Sequence, residues 1–417
     1  MSSIEQTEAQ ASAAVDDLDR FCREVFQAVG ADAATADAAT RAMMHGSRLG
    51  VDSHGVRLLD HYVKALGGGR VNKAPALSVV SDFGAMLALD ADHGHGALAT
   101  YRAMELAVER AGQMGLAAVS IRNTSHFGPA GAYALAAAEA GFIGIAMCNT
   151  DSFVRLHDGA ARFHGTNPIA CAVPVPGQKP WLFDMATSAI TYNRVQLYRS
   201  LGTALPSEVA STEEGENTTV PEEATMLAPL GGQYGFKGAG LGGLVEIFCA
   251  VLSGMRISTD ILPMGGPDFS TPREMGAFVM AMRAEVLGEP ERFGEAMTHY
   301  LATLRGSPAR PERTVMAPGD REWAVEARRI RDGVPLDLAH PLGRDAPDGT
   351  DVGQLGLPAV DEAVAAPHDV GRTVVQGGEH RLEAGVLLGV EEDLVGTGHR
   401  LAGDQVAEGG VPTLLDR

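Results

Sequence analysis

The chain has 417 residues, of which 45% are hydrophobic, so it is long enough for two or three domains with a sizeable core. Its formal net charge of −20 and its scattered lysines and arginines argue against nucleic acid, which binds to a basic patch. The first 20 residues lack the basic start and apolar core of a signal peptide, and the longest apolar stretch is too short to span a bilayer. We therefore expect a cytoplasmic globular protein with no membrane partner.

The N-terminal part of the chain has the periodicity of α-helices. Apolar residues recur every three or four positions over residues 15–29, and helix-forming residues continue to about residue 66. We assign residues 1–75 to a helical N-terminal segment.

Short β-type runs follow from about residue 76, separated by segments of helical pattern. The runs cover residues 85–90, 117–123, 144–149, 169–176 and 180–186, and the helical segments cover residues 97–114 and 129–140. Strands that are apolar along their whole length are usually covered on both faces, which predicts an α/β layered domain over residues 76–255. Within it, the polar and acidic residues 203–225 are predicted to form an exposed loop.

Helical patterns return at residues 241–253, 290–305 and 320–331, and we expect residues 256–336 to pack with the N-terminal helices. The last 81 residues (337–417) contain no aromatic side chain. Such a segment has little with which to offset the entropy of ordering, which predicts a disordered tail that is dispensable for folding. A shifted reading frame in GC-rich coding DNA is a second hypothesis for its composition.

No group of residues has the spacing of a metal site. The four cysteines, Cys22, Cys148, Cys171 and Cys249, stand singly in apolar surroundings, which indicates buried, reduced thiols. The segment DADHGHG at 90–96 has acidic and histidine residues but no helical histidine pair, so we interpret it as a hydrophilic turn.

The segment VDSHGVRLLDHY places His54, Arg57 and His61 at helical spacing. With Asp52 or Ser53 as N-cap, these three would share one side of a helix. An apolar stripe would form the opposite side, from Val56, Leu59, Val63 and Leu66.

The polar side of this predicted helix is either a solvated face or a reactive one. Near a helix N-terminus the dipole disfavours an imidazolium at His54, and Arg57 can grip a carboxylate with a fork of donors. An acid–base group beside an anion clamp suits a 2-hydroxy or 2-oxo acid.

Polar residues also stand at three junctions between predicted elements. In RNTSHFGPAGAYA, Ser125 and His126 lie between a strand and a helix, a place that ligands favour in α/β sheets, although an ordinary turn explains the pattern equally well. In HGTNPIACAVPV, Thr166 and Asn167 come just before a strand. In LFDMATSAI, a strand ends in Asp184, and Thr187 and Ser188 are predicted to begin the following helix. These two residues could bind a phosphate at the helix N-terminus or serve as its N-cap, and both interpretations stay open.

The segment GGQYGFKGAGLGGLVEIF contains a literal G-x-G-x-x-G pattern at residues 238–243. We reject a Rossmann motif, because the preceding residues do not form a buried strand. Lys237 at the entrance to the helix can reach a phosphate as a point charge, or serve a structural role.

Seven blocks, in this order, resemble the malate/L-lactate dehydrogenase family of non-Rossmann oxidoreductases. They are SHGVR (53–57), RNTSHFGPAGAYA (122–134), GTNPIACAVP (165–174), FDMATS (183–188), GFKGAGLGGLVEI (235–247), MGGPDFSTP (264–272) and VMAPGDRE (315–322). The resemblance covers about residues 14–336. That family includes ureidoglycolate and sulfolactate dehydrogenases, diketogulonate reductase and the piperideine and pyrroline carboxylate reductases.

The resemblance implies a central sheet domain flanked by helical segments, NAD or NADP as cofactor, and a homodimer. It implies His54 as proton donor, a catalytic part for His126, and Arg57 as the clamp for the substrate carboxylate. Thr166 and Asn167 are expected to line the substrate site. The residues expected to contact the cofactor are Ser125, Asp184, Met185, Ala186, Thr187, Ser188, Phe236, Lys237, Gly319, Asp320 and Arg321.

The residues and the resemblance predict the same reaction, in which hydride passes between nicotinamide and C2 of a small 2-hydroxy or 2-oxo acid. A cyclic imino-acid reductase and a non-catalytic binding protein of the same fold are the alternatives. No metal is expected.

Overall fold

The computed structural model describes residues 11–336, so the tail predicted at 337–417 lies outside the described residues. The helices are α1 (Val15–Ala28), α2 (Ala33–Leu49), α3 (Leu59–Gly67), α4 (Gly96–Met114), α5 (Gly131–Glu139), α6 (Tyr192–Ser200), α7 (Phe236–Glu246), α8 (Pro290–Arg305) and α9 (Asp320–Asp332). The strands are β1 (Ala11–Ala13), β2 (Ser78–Phe83), β3 (Met86–Asp90), β4 (Leu116–Thr124), β5 (Ile143–Cys148), β6 (Val154–Arg155), β7 (Arg162–His164), β8 (Ile169–Val173), β9 (Trp181–Met185), β10 (Ala210–Ser211), β11 (Met226–Leu227), β12 (Met275–Met282) and β13 (Val334–Leu336).

Seven strands form the central sheet, in the order β2-β3-β4-β12-β5-β8-β9. Only β3 and β4 run parallel; the other neighbours in this sheet are antiparallel. All five β-type runs predicted from the sequence are strands of this sheet, and the helical segments predicted at 97–114 and 129–140 are α4 and α5. The largest buried cluster joins the sheet to these two helices, which confirms the α/β layered architecture.

Residues 256–336 divide between the sheet and the N-terminal helices. The expectation that this segment packs with those helices holds for α9, which contacts α2. It is wrong for β12, which lies at the centre of the sheet between β4 and β5. β12 is buried along almost its whole length, because its apolar side chains complete the core on both sides of the sheet.

The N-terminal helices α1, α2 and α3 enclose a second core around Phe26, Met43 and Leu66. Short strands at the two ends of the described region, β1 and β13, pair antiparallel. Helices α1, α2 and α3 lie within the helical N-terminal segment predicted at 1–75, of which residues 1–10 lie outside the described residues. Over residues 11–336, no helix combines the length and hydropathy needed to cross a membrane.

The helix predicted to begin at Asp52 or Ser53 is wrong. Two 3₁₀ turns, Asp52–His54 and Val56–Leu58, come first, and α3 begins only at Leu59. The break is at Gly55, whose backbone is extended and so close to α2 that an added Cβ would lie 2.4 Å from Oγ of Ser47. The buried apolar side chains of this segment are Val56, Leu58, Tyr62, Ala65 and Leu66. The predicted stripe is therefore right for Val56 and Leu66, whereas Leu59 and Val63 are only partly buried.

A four-stranded sheet of order β10-β11-β6-β7 stands beside the main one. The prediction of an exposed loop over residues 203–225 is wrong in part, because Leu205, Ala210 and Ala224 are buried there. These small apolar side chains pack with Val154 and Val195 in a separate cluster. All four cysteines are free, and three are buried, with Cys171 partly so.

Candidate active site

Three imidazole rings meet just beyond the end of β4. His126 lies in the turn between β4 and α5, as predicted, and its ring stacks on that of His54 with 5.8 Å between centroids. The ring of His61 meets His126 edge-on, with centroids 6.4 Å apart. The structure therefore brings together His54 and His126, and it adds His61, which helical spacing alone had placed farther along a continuous helix.

Hydrogen bonds orient two of these rings. Oγ of Ser53 lies 2.9 Å from Nδ1 of His54, and the hydroxyl of Tyr62 lies 2.9 Å from Nδ1 of His126. Both bonds engage Nδ1, so Nε2 of each ring is the nitrogen available to exchange a proton with a ligand. Sequence reasoning missed Tyr62, because a tyrosine on the buried side of a helix looks like any core residue.

Burial keeps the imidazoles neutral. It lowers the pKa of His54 to about 4 and that of His61 to about 3. Burial lowers the pKa of His126 well below its usual value as well, and the positive forms of the neighbouring histidines add to this effect. At neutral pH these rings are consequently unprotonated.

Arg57 stands on the 3₁₀ turn that follows the one containing His54. It is partly buried on the 3₁₀ turn Val56–Leu58, three residues after His54. Among residues 11–336 it has no hydrogen-bonding or ion-pair partner, so its guanidinium is available to a ligand.

Ser125 and Asn167 serve the fold more directly than a ligand. The hydroxyl of Ser125 accepts from N–H of Gly96 (3.0 Å) and donates to the carbonyl of Gly94 (3.1 Å). Asn167 is fully buried, and its amide donates to the carbonyl of Gly242 (3.1 Å) and to Oε2 of Glu246 (2.7 Å). The amide of Asn167 is therefore engaged by α7, and its assignment to the substrate site stays a prediction.

Thr166 and residues 184–188 form one connected strip. Oδ2 of Asp184 accepts from N–H of Gly131 (2.7 Å) at the start of α5. The carbonyl of Thr166 accepts from the backbone N–H (2.8 Å) and the hydroxyl (3.1 Å) of Thr187. Met185 and Ala186 are partly buried between them.

The prediction that Thr187 and Ser188 open a helix is wrong. Helix α6 begins at Tyr192, and Ser188 instead donates its hydroxyl to the carbonyl of Ile190 (2.7 Å). Residues 187 and 188 therefore do not offer the free N–H groups of a helix N-terminus. The backbone N–H of Thr187 donates instead to the carbonyl of Thr166.

Helix α7 begins at Phe236 and presents Lys237 in its first turn. Both side chains are exposed, and the ammonium of Lys237 lies 5.3 Å from the ring centre of Tyr234. The preceding strand, β11, ends nine residues before the helix, so rejecting a Rossmann motif is confirmed. A Cβ at Gly242 would lie 3.2 Å from Oγ1 of Thr187, so glycine here lets α7 approach residues 184–188 closely.

The turn at residues 319–321 packs on β9. Gly319 has a φ of +95° and precedes α9; a Cβ there would lie 3.1 Å from N of Leu182. Asp320 forms an ion pair with Arg305 (2.7 Å), and Arg321 is exposed. This turn therefore lies against Leu182 of β9, and α7 lies against Thr187, two residues after the end of that strand.

The segment 90–96 connects β3 to α4 as a turn, but its residues Ala91 and His95 are buried. Asp90 pairs with Arg122 (2.9 Å), and Asp92 accepts from the amide of Asn72 (2.9 Å). His95 packs edge-on against Tyr62, with ring centroids 4.3 Å apart. In the described part of the chain, no three histidine, cysteine or acidic residues are grouped as metal ligands.

Comparisons with known proteins identify the family of this chain. The family model described as malate/L-lactate dehydrogenase matches residues 13–340. A malate dehydrogenase of Pyrococcus abyssi is 33% identical over 329 residues, which cover 77% of this chain and 90% of that protein.

Solved structures share the fold. The malate dehydrogenase of Pyrococcus horikoshii OT3 has a TM-score of 0.72 at 30% identity, covering 80% of this chain and 93% of that one. The Δ1-piperideine-2-carboxylate reductase of Pseudomonas syringae has a TM-score of 0.71 at 26% identity, covering 78% and 96%. The chain is therefore a member of the malate/L-lactate dehydrogenase family, with that family's non-Rossmann fold.

Proposed function

We propose that the protein is an NAD(P)-dependent oxidoreductase that transfers a hydride between nicotinamide and C2 of a small 2-hydroxy or 2-oxo acid. The observation that carries this proposal is the contact between the rings of His54 and His126, with Arg57 on the adjoining turn. Acid–base groups and an anion clamp around one point are what such a substrate requires. We propose the cytoplasm as its location.

The residues around β9 fit a nicotinamide cofactor. The first turn of α7 has no side-chain cap, so its N–H groups and the ammonium of Lys237 suit a phosphate. Phe236 and Tyr234 expose aromatic rings suited to a flat base. Residues 184–188 and 319–321 would complete the contact, and a bound nicotinamide supplies or accepts the hydride.

The chain's own contribution is position, charge and a proton. In oxidation, a neutral imidazole of the pair removes the proton from the substrate hydroxyl. In reduction the same imidazole must be charged first, and a carboxylate bound at Arg57 favours this because nearby negative charge raises a histidine pKa. We assign this proton transfer to His54, and His126 is the neighbouring imidazole of the pair.

An assay with both cofactors tests the proposal. NADH or NADPH fluorescence should change on binding, and at least one of pyruvate, oxaloacetate, sulfopyruvate and ketopantoate should then oxidise the cofactor. Turnover should persist in EDTA, because the reaction as proposed uses no metal.

Other outcomes of this assay identify the alternatives. Turnover with Δ1-piperideine-2-carboxylate alone would indicate the imino-acid reductase, which similarity to the Pseudomonas enzyme favours as second candidate. Cofactor binding without turnover would indicate a binding protein. Binding of neither cofactor would contradict the oxidoreductase proposal.

We also propose a homodimer, in which the partner subunit covers an apolar stripe on one side of α7 and of the π-helix Ile247–Val251 that continues it. Leu244, Ile247 and Val251 are 42%, 56% and 63% exposed at helical spacing. Contiguous exposed apolar surface of this kind is typical of subunit contacts.

Light scattering of the native protein should give twice the mass of one chain, and Ile247→Glu should halve the measured mass. Leu287→Glu, at a more exposed position away from the stripe, should leave the mass unchanged; a monomeric native protein would contradict the proposal.

A further inference from the structure

We propose that Arg273 binds an anionic group of the substrate through its Nη1 nitrogen. This role rests on the proposed function but is assigned by none of the seven sequence blocks, because Arg273 stands just beyond one of them. It adds a second positive group to the site, on a different element from Arg57.

Strand register brings Arg273 to the histidine cluster. Met275, at the start of β12, lies opposite Thr124, at the end of β4. The strands are antiparallel, so Arg273, two residues before Met275, and His126, two residues after Thr124, lie at the same edge of the sheet. Asp151, three residues beyond the end of β5 on the other side of β12, leaves that edge as well.

The hydrogen bonds of Arg273 leave one nitrogen unused. Its Nε donates to the carbonyl of Leu262 (2.8 Å), and its Nη2 donates to Oδ1 of Asp151. Nη1 is buried and has no partner among residues 11–336, and the residue is only 2% exposed. A buried charged donor without an acceptor is costly, and a substrate carboxylate would supply the missing acceptor.

The charge of Arg273 already acts on the candidate catalytic groups. It contributes to lowering the pKa of both His61 and His126, so its field reaches the cluster. An anion held at Nη1 would offset this charge and make protonation of the cluster easier. Binding of the substrate and protonation of His61 or His126 would then be coupled.

The competing explanation is that Arg273 only ties Asp151 to the loop at Leu262. Arg70 provides a matched control, because it is equally buried and sits nearby, yet both of its terminal nitrogens donate to backbone carbonyls. Those carbonyls belong to residues 263, 264 and 268. Nε of Arg70 is buried without a partner among residues 11–336, so the two arginines differ in which nitrogen is unpaired. Arg70→Gln therefore removes a buried guanidinium whose two terminal nitrogens are both engaged.

The test compares the best 2-oxo acid with its methyl ester. Arg273→Gln should raise KM for the acid about 10- to 100-fold, as expected for a hydrogen bond between charged groups, and change KM for the ester less than about twofold. Asp151→Asn should lower KM for the acid, because it removes a negative charge that competes for Arg273. Arg70→Gln should leave both KM values unchanged while lowering the melting temperature.

Equal effects on acid and ester in Arg273→Gln, or the same selective loss in Arg70→Gln, would overturn the role of Arg273. If the native protein reduces no 2-oxo acid, the proposed function fails instead. Calorimetric titration with oxalate then still tests Arg273: weaker oxalate binding in Arg273→Gln but not in Arg70→Gln supports the role, and equal binding in all three proteins overturns it.

Discussion

Alanine at position 54 should lower kcat about 10²- to 10⁴-fold, the usual contribution of a positioned acid or base, with cofactor affinity nearly unchanged. His126→Ala should also reduce turnover, because its ring stacks on that of His54. Single turnovers separate the two roles. We expect hydride transfer to be lost in His54→Ala. Near-normal hydride transfer in His54→Ala together with no transfer in His126→Ala would assign the proton-transfer role to His126 instead.

Two comparisons control this prediction. His299 is exposed on α8, so His299→Ala should leave kcat unchanged. Burial lowers the pKa of His54 to about 4, and oxidation of the hydroxy acid needs the unprotonated ring. In that direction kcat/KM should stay constant through neutral pH and fall only as pH drops toward about 4. A fall beginning at the ordinary histidine pKa of about 6.5 would contradict the burial of the base.

Replacing Arg329 with methionine should lower the free energy of unfolding by about 3–5 kcal/mol, because it leaves a buried carboxylate without its partner. Arg329 of α9 donates to both carboxylate oxygens of Asp52, at 2.5 and 2.8 Å, with side chains 4% and 1% exposed. It also donates to the carbonyl of Ser47 (2.6 Å). Since Asp52 shares a 3₁₀ turn with His54, kcat should fall as well.

Denaturant unfolding measures this loss against two controls. Arg20→Met breaks an exposed ion pair with Asp17 and should cost about 1 kcal/mol or less. The double variant Asp52→Leu/Arg329→Met should recover much of the stability, because an apolar pair does not leave a lone buried charge. A loss in Arg329→Met no larger than in Arg20→Met would show that the pair is unimportant.

The sequence predicts the elements of this fold well where one pattern runs along an uninterrupted segment. The apolar strands β3, β4, β5, β8 and β9 and the helices that separate them are examples. β12 was not predicted, since its place between β4 and β5 depends on pairing with strands about 130 to 160 residues earlier, as the register of Met275 with Thr124 illustrates.

The sequence predicts the two histidines of the candidate site but not the structure around them. His54 and His126 stand in recognisable blocks, whereas the helix around His54 failed because Gly55 meets Ser47, a contact between elements that no local pattern contains. Asn167 was assigned to the substrate for its place in a block, but Glu246, on a distant helix, takes up its amide. Polar side chains of this kind are assigned only when their partners are known.

Transfer of deuterium from cofactor to substrate tests the central claim most directly. The protein is given NADH or NADPH carrying deuterium at C4, on either face, together with the 2-oxo acid that it reduces fastest, and the product is analysed by mass spectrometry and NMR. We expect one deuterium on C2 of the hydroxy acid when the label is on one of the two faces of the nicotinamide ring. Hydrogen from water should be found only on the hydroxyl oxygen. Product without deuterium from either face, or no reduction of any 2-oxo acid, would contradict it.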